Sequence, residues 1–507
     1  MSGRVFDEAG EPLIGVRVLA MLRVFDSGRP GFTNAAAGMS SDTDDRGAYR
    51  LATLIPGDYI LSIRSTQATV PMAVADAMRH ARSAGTNAEF SRELSASGAQ
   101  SSSGIPIGNQ FFQSEVFGSR VATPPPPGAD GTVFVYPTQF FPSAQSPSEA
   151  TIVTLRSGEV RSAIDFQLRP VATSSVSGVV MGPSGPEPNL GLGLVLPSIA
   201  SVTSSSFFET ATTVSDSSGR FTFLGVPAGQ YWLWTTKLPV AAGPPAQPPS
   251  QGGVMRRILQ IPDGPTLWES LPVSVGRTSI TGLTVSLRTG FRVTGRIQFE
   301  GSAARPAPEA LRGRCGARLE PVDGFARSSV GVADLWLLAC DSDGAVRSFE
   351  LPPGQYVLTA HGLPGWRFKS AMLAGRDVSV APFDLQTDMT TLVITYTDRP
   401  STLGGTVRSS TGTPDGSTQV LVFPAEAASP NYVGSMRPFQ AARPSAQGTY
   451  HFPDLPAGDY LAIAVADDAG ADFPSLTLVR TLARFATRIT IRNADSKTLD
   501  LTTVTVR

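Results

Sequence analysis

Cysteine, lysine and histidine are scarce in this chain, and long apolar runs are missing. Two cysteines, Cys315 and Cys340, stand among 507 residues, too few for a disulfide framework or a four-cysteine metal cluster. They either form one disulfide in an oxidising compartment or stay buried as small apolar thiols. Three lysines, Lys237, Lys369 and Lys497, and a net charge of −1 leave no basic block, which excludes nucleic acid as a partner. The histidines, His80, His361 and His451, lie far apart in sequence. None has a glutamate at the short offset of a hydrolytic zinc site. No run of about 18 apolar residues exists; the best stretch, Leu190 to Val202, is broken by Gly, Pro and Ser, so no transmembrane segment is expected. The opening residues do not read as a secretion signal. Met1-Ser2-Gly3-Arg4-Val5 resembles the inside of a strand, which leads to the expectation that either the true start lies upstream or the chain is a segment of something longer, the first being favoured.

What the chain has is glycine and proline, 50 and 42 of them, with only 16% charged residues. That balance suits an all-β chain with many turns, and 41% hydrophobic content is enough for several cores. One stretch organises it: Leu54-Ile55-Pro56-Gly57-Asp58-Tyr59. It returns as Val226-Pro227-Ala228-Gly229-Gln230-Tyr231, Leu351-Pro352-Pro353-Gly354-Gln355-Tyr356 and Leu455-Pro456-Ala457-Gly458-Asp459-Tyr460. Pro and Gly turn the chain over the end of a sheet, and the tyrosine hydroxyl is expected to bond back to upstream backbone, as in a tyrosine corner. Tyr59, Tyr231, Tyr356 and Tyr460 are therefore structural residues, each followed by an apolar strand.

Two further signals recur. A short strand carrying Gly3, Gly178, Gly295 or Gly405 precedes the corner glycine by 54, 51, 59 or 53 positions, a spread narrow enough for an internal repeat. Just upstream of each corner comes a tight turn: Asp44 to Gly47, Asp216 to Gly219, Asp341 to Gly344, and Ala446 to Gly448. Their clustered carboxylates (Asp42, Asp44 and Asp45; Asp341 and Asp343) also suggest calcium, but the late bidentate glutamate of a helix-flanked calcium loop is missing. The turn reading accounts for the same residues.

This set of motifs, with Asp7 to Val18 as a D-x-x-G-x-P-L-x-G-x-x-V stretch in the first copy, resembles the carboxypeptidase regulatory-like domain. The resemblance implies a transthyretin-like (prealbumin-like), seven-stranded, Greek-key sandwich of the carbohydrate-binding-like group. It covers an accessory domain only, so no catalytic residue carries over. The third copy lacks the aromatic after Gly344, having Val346. The second lacks the P-L-x-G element, having Gly182 to Pro186. A related adhesin repeat cross-links a first-strand lysine to a last-strand asparagine; Arg4, Arg296 and Arg408 stand on the opening strands here, which argues against it.

The expected architecture is all-β: sandwiches at 1-170, 173-289, 291-399 and 402-507, the first with a low-complexity flexible insertion at about 66-132. Within the insertion, Met72 to Leu94 reads as a loose helix through Ala77, Met78 and Ala81. A firmer helix is expected in Pro474 to Ala486, with Leu476, Leu478, Leu482 and Phe485 on one side.

No nucleophile elbow, P-loop or dinucleotide fingerprint is present, so neither an enzyme nor a cofactor is expected. The most specific binding clue is Trp232 with Trp234. If Tyr231 and Leu233 point inward, both indoles share the outer face. There they either stack on sugar rings or pack against the 238–270 linker or a neighbouring module. The expectation is an extracytoplasmic, non-catalytic scaffold whose partner is a polysaccharide or another envelope protein. Its rivals are a plain spacer, strand addition to a free edge and an unrecognised hydrolase.

Overall fold

Opening strands sit at the centre of every module. The computed structural model describes residues 1–26, 29–33, 38–83, 104–115, 128, 131–197, 209–239, 261, 264–311, 316–322, 336–430, 432, 437–466 and 473–505. Ser2–Phe6, Val171–Gly182, Val293–Glu300 and Thr402–Arg408 are the four opening strands. Each has an antiparallel neighbour that follows the tight turn: Ala48–Arg50, Arg220–Pro227, Ala345–Arg347 and Thr449–Phe452. Each also has a parallel neighbour that closes the module. These are Phe166–Gln167, Ile280–Ser286, Met389–Thr397, and Ser496–Thr498 with Leu501–Val504. A tight hairpin cannot join parallel neighbours. The chain between them builds a second sheet around the corner strands Gly57–Ile63, Gly229–Lys237, Gly354–Ala360 and Gly458–Ala466.

Alternation along these strands fills the cores. Tyr59, Leu61 and Ile63 point into one core, Tyr231 and Leu233 into a second, Tyr356 and Leu358 into a third, and Tyr460, Ala462 and Ala464 into a fourth. In the last module Leu501–Val504 pairs with both the opening and the corner strand, which joins its two layers.

The opening glycines are required by a close approach. A Cβ on Gly3, Gly178, Gly295 or Gly405 would lie 2.0, 1.9, 1.9 or 1.9 Å from the carbonyl oxygen of Ile164, Leu283, Leu392 or Leu499. Any side chain there would displace the closing segment. In the first and last modules Tyr49 and Tyr450 donate their hydroxyls to these same carbonyls of Ile164 and Leu499, at 2.6 and 2.5 Å. Phe221 and Val346 stand opposite Gly178 and Gly295 instead. The missing third-module aromatic thus costs a hydroxyl bridge, while the strand remains. In the second module the short strand Gly185–Pro186 pairs with the opening strand where the P-L-x-G element is absent.

The flexible insertion expected at 66–132 needs correction in its described parts. Thr66–Pro71, Ile105–Ile107 and Gln110–Glu115 are strands, and Met72–Ser83 is a helix. They dock on the second module. Thr66–Pro71 pairs in parallel with Glu209–Val214 and antiparallel with Gln110–Glu115, completing an eight-stranded sheet that ends at Ile105–Ile107. The helix covers that sheet through Val74 and Ala75, which pack with Val70 and Val214. Composition hid this because Ser, Ala and Gln serve a half-buried strand as readily as a loop; Gln67, Thr69 and Gln113 are buried here.

The second expected helix forms as Leu476–Leu482. It covers the outer face of the last corner sheet, where Val479 and Leu482 meet Leu421, Phe423, Ile463 and Val465. Phe485, read from spacing as part of its apolar side, lies beyond the helix and is exposed. No helix among the described residues is long and apolar enough to cross a membrane.

Candidate functional site: the corners and the module joints

The four corners have one geometry. Tyr59, Tyr231, Tyr356 and Tyr460 are buried, and each hydroxyl donates to the carbonyl four residues back. The acceptors are Ile55, Pro227, Pro352 and Pro456, at 2.6, 2.9, 2.7 and 2.7 Å. Burial pushes the Tyr231 and Tyr460 phenols well above their ordinary range. The residue ahead of each corner aliphatic varies: Thr53, Gly225, Glu350 and Asp454. Three of these take the left-handed backbone, at φ 59° (Thr53), 69° (Gly225) and 61° (Asp454).

That variable position is where the described modules meet. At the first joint, a Cβ on Gly225 would strike the Phe112 ring of the docked arm and approach Val135 of the first module. Thr69 Oγ1 accepts from Leu224 N at 2.9 Å, and Phe134–Val135 pairs with the second opening strand. Leu196 of the second module packs on Met21, Ile60 and Phe140 of the first. At the second joint, the Glu350 carboxylate accepts from Thr266 N at 2.9 Å and lies 3.4 Å from the Arg292 guanidinium. Leu238 and Ile261 pack against the third core. At the third joint, Asp454 pairs with Arg367 Nε at 2.8 Å.

The joints differ in the contacts that make them. The first is made of strand pairing and buried apolar contacts. The third rests on an ion pair half open to water, and such pairs contribute roughly 0–1 kcal/mol. A cleft of about 380 Å³ opens beside that pair, between Glu300, Lys369 and Arg399 on one side and Leu455, Pro456 and Asn493 on the other. Lys369 pairs with Glu300. Arg399 Nε lies 3.8 Å from Asp398.

The tryptophan pair does not form an open platform. Both indoles do lie opposite Tyr231 and Leu233, but Trp234 is 8% exposed and stacks on Trp268, with ring centroids 6.4 Å apart and planes 27° apart. The Arg288 guanidinium lies 5.5 Å from the Trp268 ring centre and donates to buried Glu269 at 2.6 Å. Trp232 is half-buried. Strand pairing across the sheet, Trp268 opposite Thr236, supplies the neighbour that Trp234 needs. Alternation along one strand could not show this.

Other expected residues fall as follows. Cys340 is buried and disulfide-bonded; Cys315, the chain's other cysteine, lies outside the described residues, as does most of the 238–270 linker. The Asp44 carboxylate accepts from Arg46 N and Ala48 N at 2.9 and 2.8 Å, and Asp216 from Ser218 N and Arg220 N at 2.8 and 2.9 Å. These amide bonds hold Asp44 below the usual carboxylate range. The three histidines are exposed and separate. Among the described residues no three His, Cys, Asp or Glu side chains gather as a metal site. Sequence reasoning missed Glu350 and Asp454. Their signal was available in the one corner position that refuses to repeat.

No protein-family model matches the sequence, and no curated protein matches it. Among solved structures the chain is similar to a streptococcal ancillary pilin, at 12% identity and TM-score 0.21 over 65% of this chain and 99% of that one. It is also similar to GBS52, the minor pilin of Streptococcus agalactiae, at 13% and 0.20 over 42% and 95%. A third is the Bacillus anthracis TIE protein, at 9% and 0.15 over 100% and 73%. With TM-scores this low, none superposes on the chain as a whole.

Proposed function

We propose that this chain is a non-catalytic, extracytoplasmic scaffold of four transthyretin-like sandwiches, at 1-170, 173-289, 291-399 and 402-507, of the carboxypeptidase regulatory-like kind. Its work is to hold its modules in a fixed order and to bind another envelope protein. The observation that carries this reading is the arm Thr66–Pro71 with Gln110–Glu115, which joins the second module's sheet. A segment long enough to form a lid over a pocket is used to brace one module on the next. The disulfide at Cys340 supports an oxidising compartment. Burial of Trp234 favours a protein partner over a polysaccharide, because a sugar ring needs an open aromatic face.

Small-angle scattering of the purified chain tests the reading. The expected result is a stiff particle whose first two modules keep one separation in low and high salt. Ester, peptide and glycoside substrates should give no turnover, and activity above background sinks the proposal. A glycan screen in which binding disappears with Trp232→Ala, with the fold intact, would restore the polysaccharide.

A further inference from the structure

The cleft at the third joint has walls from two modules and a floor that is fixed. Glu300, Arg367 and Lys369 line it from the third module, Asp454 and Asn493 from the fourth, and Arg399 from the linker between them. That linker is tied down. Ser401 Oγ donates to the Arg492 carbonyl at 2.8 Å, and the Ser401 carbonyl accepts from Leu455 N at 3.0 Å. Ser401 itself is buried. Arg399 and Asn493 therefore sit on backbone that is held together before any ligand arrives.

Charge in this cleft does not balance. Arg367, Lys369 and Arg399 face only Glu300 and Asp454 among its lining residues. Arg367 Nε pairs with Asp454 at 2.8 Å, and Lys369 pairs with Glu300. Arg399 is the cation left over. Its Nε stops 3.8 Å from Asp398 Oδ1, beyond hydrogen-bond reach. The other Asp398 oxygen is already spent on Ser302 N and Ala303 N, both at 2.6 Å. The Arg399 side chain is 68% exposed, so its guanidinium keeps its donors for an occupant of the cleft. The two ion pairs leave donors over as well, since each cation carries several N–H groups.

A donor-rich site with a surplus positive charge selects an acceptor with negative charge. A guanidinium fork matches the paired oxygens of a carboxylate or a phosphate. Size narrows the choice further. Pockets for small ligands run from roughly 300 to 1,000 Å³, and at about 380 Å³ this one suits a small molecule. We infer that the cleft binds an oxyanion, the phosphate or carboxylate group of a small molecule, received by Arg399 with Lys369 and Asn493 as donors from the two walls. Because these donors come from both modules, the bound group ties the third to the fourth in addition to the Arg367–Asp454 pair.

Titration calorimetry of the full chain with sodium phosphate and, separately, sodium succinate tests this. Chloride keeps the ionic strength equal throughout, so that screening stays constant. Saturable binding of at least one probe is expected, and which of the two binds identifies the group the cleft accepts. Arg399→Ala, at an exposed position and checked for folding by circular dichroism, should weaken that binding at least about tenfold, the loss of a charge-assisted bond. Asn493→Ala, on the other wall and also exposed, should weaken it about fivefold. Arg376 is an exposed arginine of the third module, opposite Leu373 at the far end of the strand that begins at Arg367. Arg376→Ala should bind like wild type. The inference is overturned if neither probe gives saturable heat, if either cleft variant binds like wild type, or if Arg376→Ala loses as much as Arg399→Ala.

Discussion

Consider Gly405→Ala, with Gly404→Ala as its control one residue away on the same strand. At Gly405 the added methyl would sit 1.9 Å from the Leu499 carbonyl oxygen, whereas even a weak C–H···O contact needs roughly 3.3 Å. Relief requires a shift of roughly 1.4 Å in backbone that is already pinned, because Tyr450 donates to the same oxygen at 2.5 Å. Overpacking of this kind costs about 1–3 kcal/mol, and loss of the tyrosine bond adds about 1, for a sum near 3 kcal/mol. At Gly404 the nearest atom is the Tyr450 carbonyl oxygen at 3.2 Å, and the alanine should stay within about 1 kcal/mol of wild type. For a module of this size, 3 kcal/mol lowers the melting temperature by roughly 12 °C or more. Calorimetry shows the whole melt, and hydrogen exchange at Tyr450 and Phe452 assigns the loss to the fourth module. Equal losses in both variants would refute the close-approach argument and, with it, the physical meaning of the recurring glycine.

Further outcomes follow from the same geometry. Tyr59→Phe, Tyr231→Phe, Tyr356→Phe and Tyr460→Phe each leave a corner carbonyl unpaired and should each cost about 1–3 kcal/mol, read by module-resolved exchange; a loss spread over all modules would contradict separate cores. Reduction of the Cys340 disulfide should destabilise the third module by about 3 kcal/mol, and Cys340→Ser should make the melt insensitive to reductant. Tyr136 is pushed up to about 12 by burial and by Glu8 beside it, so its unfolded form ionises first. The stability it contributes is complete below the ordinary phenol range and is lost as pH rises through about 12, which alkaline unfolding of wild type against Tyr136→Phe will report.

Much of the fold was legible because it depends on positions that repeat. Gly3, Gly178, Gly295 and Gly405 face a carbonyl, and the four corner tyrosines reach one four residues back. Only the tyrosine bond is local, since each glycine faces the far side of its own module, but a single sequence displays both four times. The arm was not legible. Thr66–Pro71 finds its partner at Glu209–Val214, far along the chain, and nothing in its composition distinguishes a strand awaiting that partner from a loop. The tryptophans fall between these cases. Their outward direction could be read from Tyr231 and Leu233, but their burial depends on Trp268 across the sheet.

The joints carry this reasoning one step further. In four copies of a corner, the residues held constant are those each module needs for itself: the aliphatic, the glycine and the phenol. The residue just ahead of them has no such duty and is free to answer a neighbour. It does so by different chemistry each time. Gly225 withholds a side chain to admit Phe112, Glu350 accepts an amide, and Asp454 takes a guanidinium. Thr53, at the same place in the first module, bonds to the carbonyl beside it. Specificity between neighbouring modules is therefore written where the repeat fails, and comparing the copies at that one position separates the residues that fold a module from those that place it.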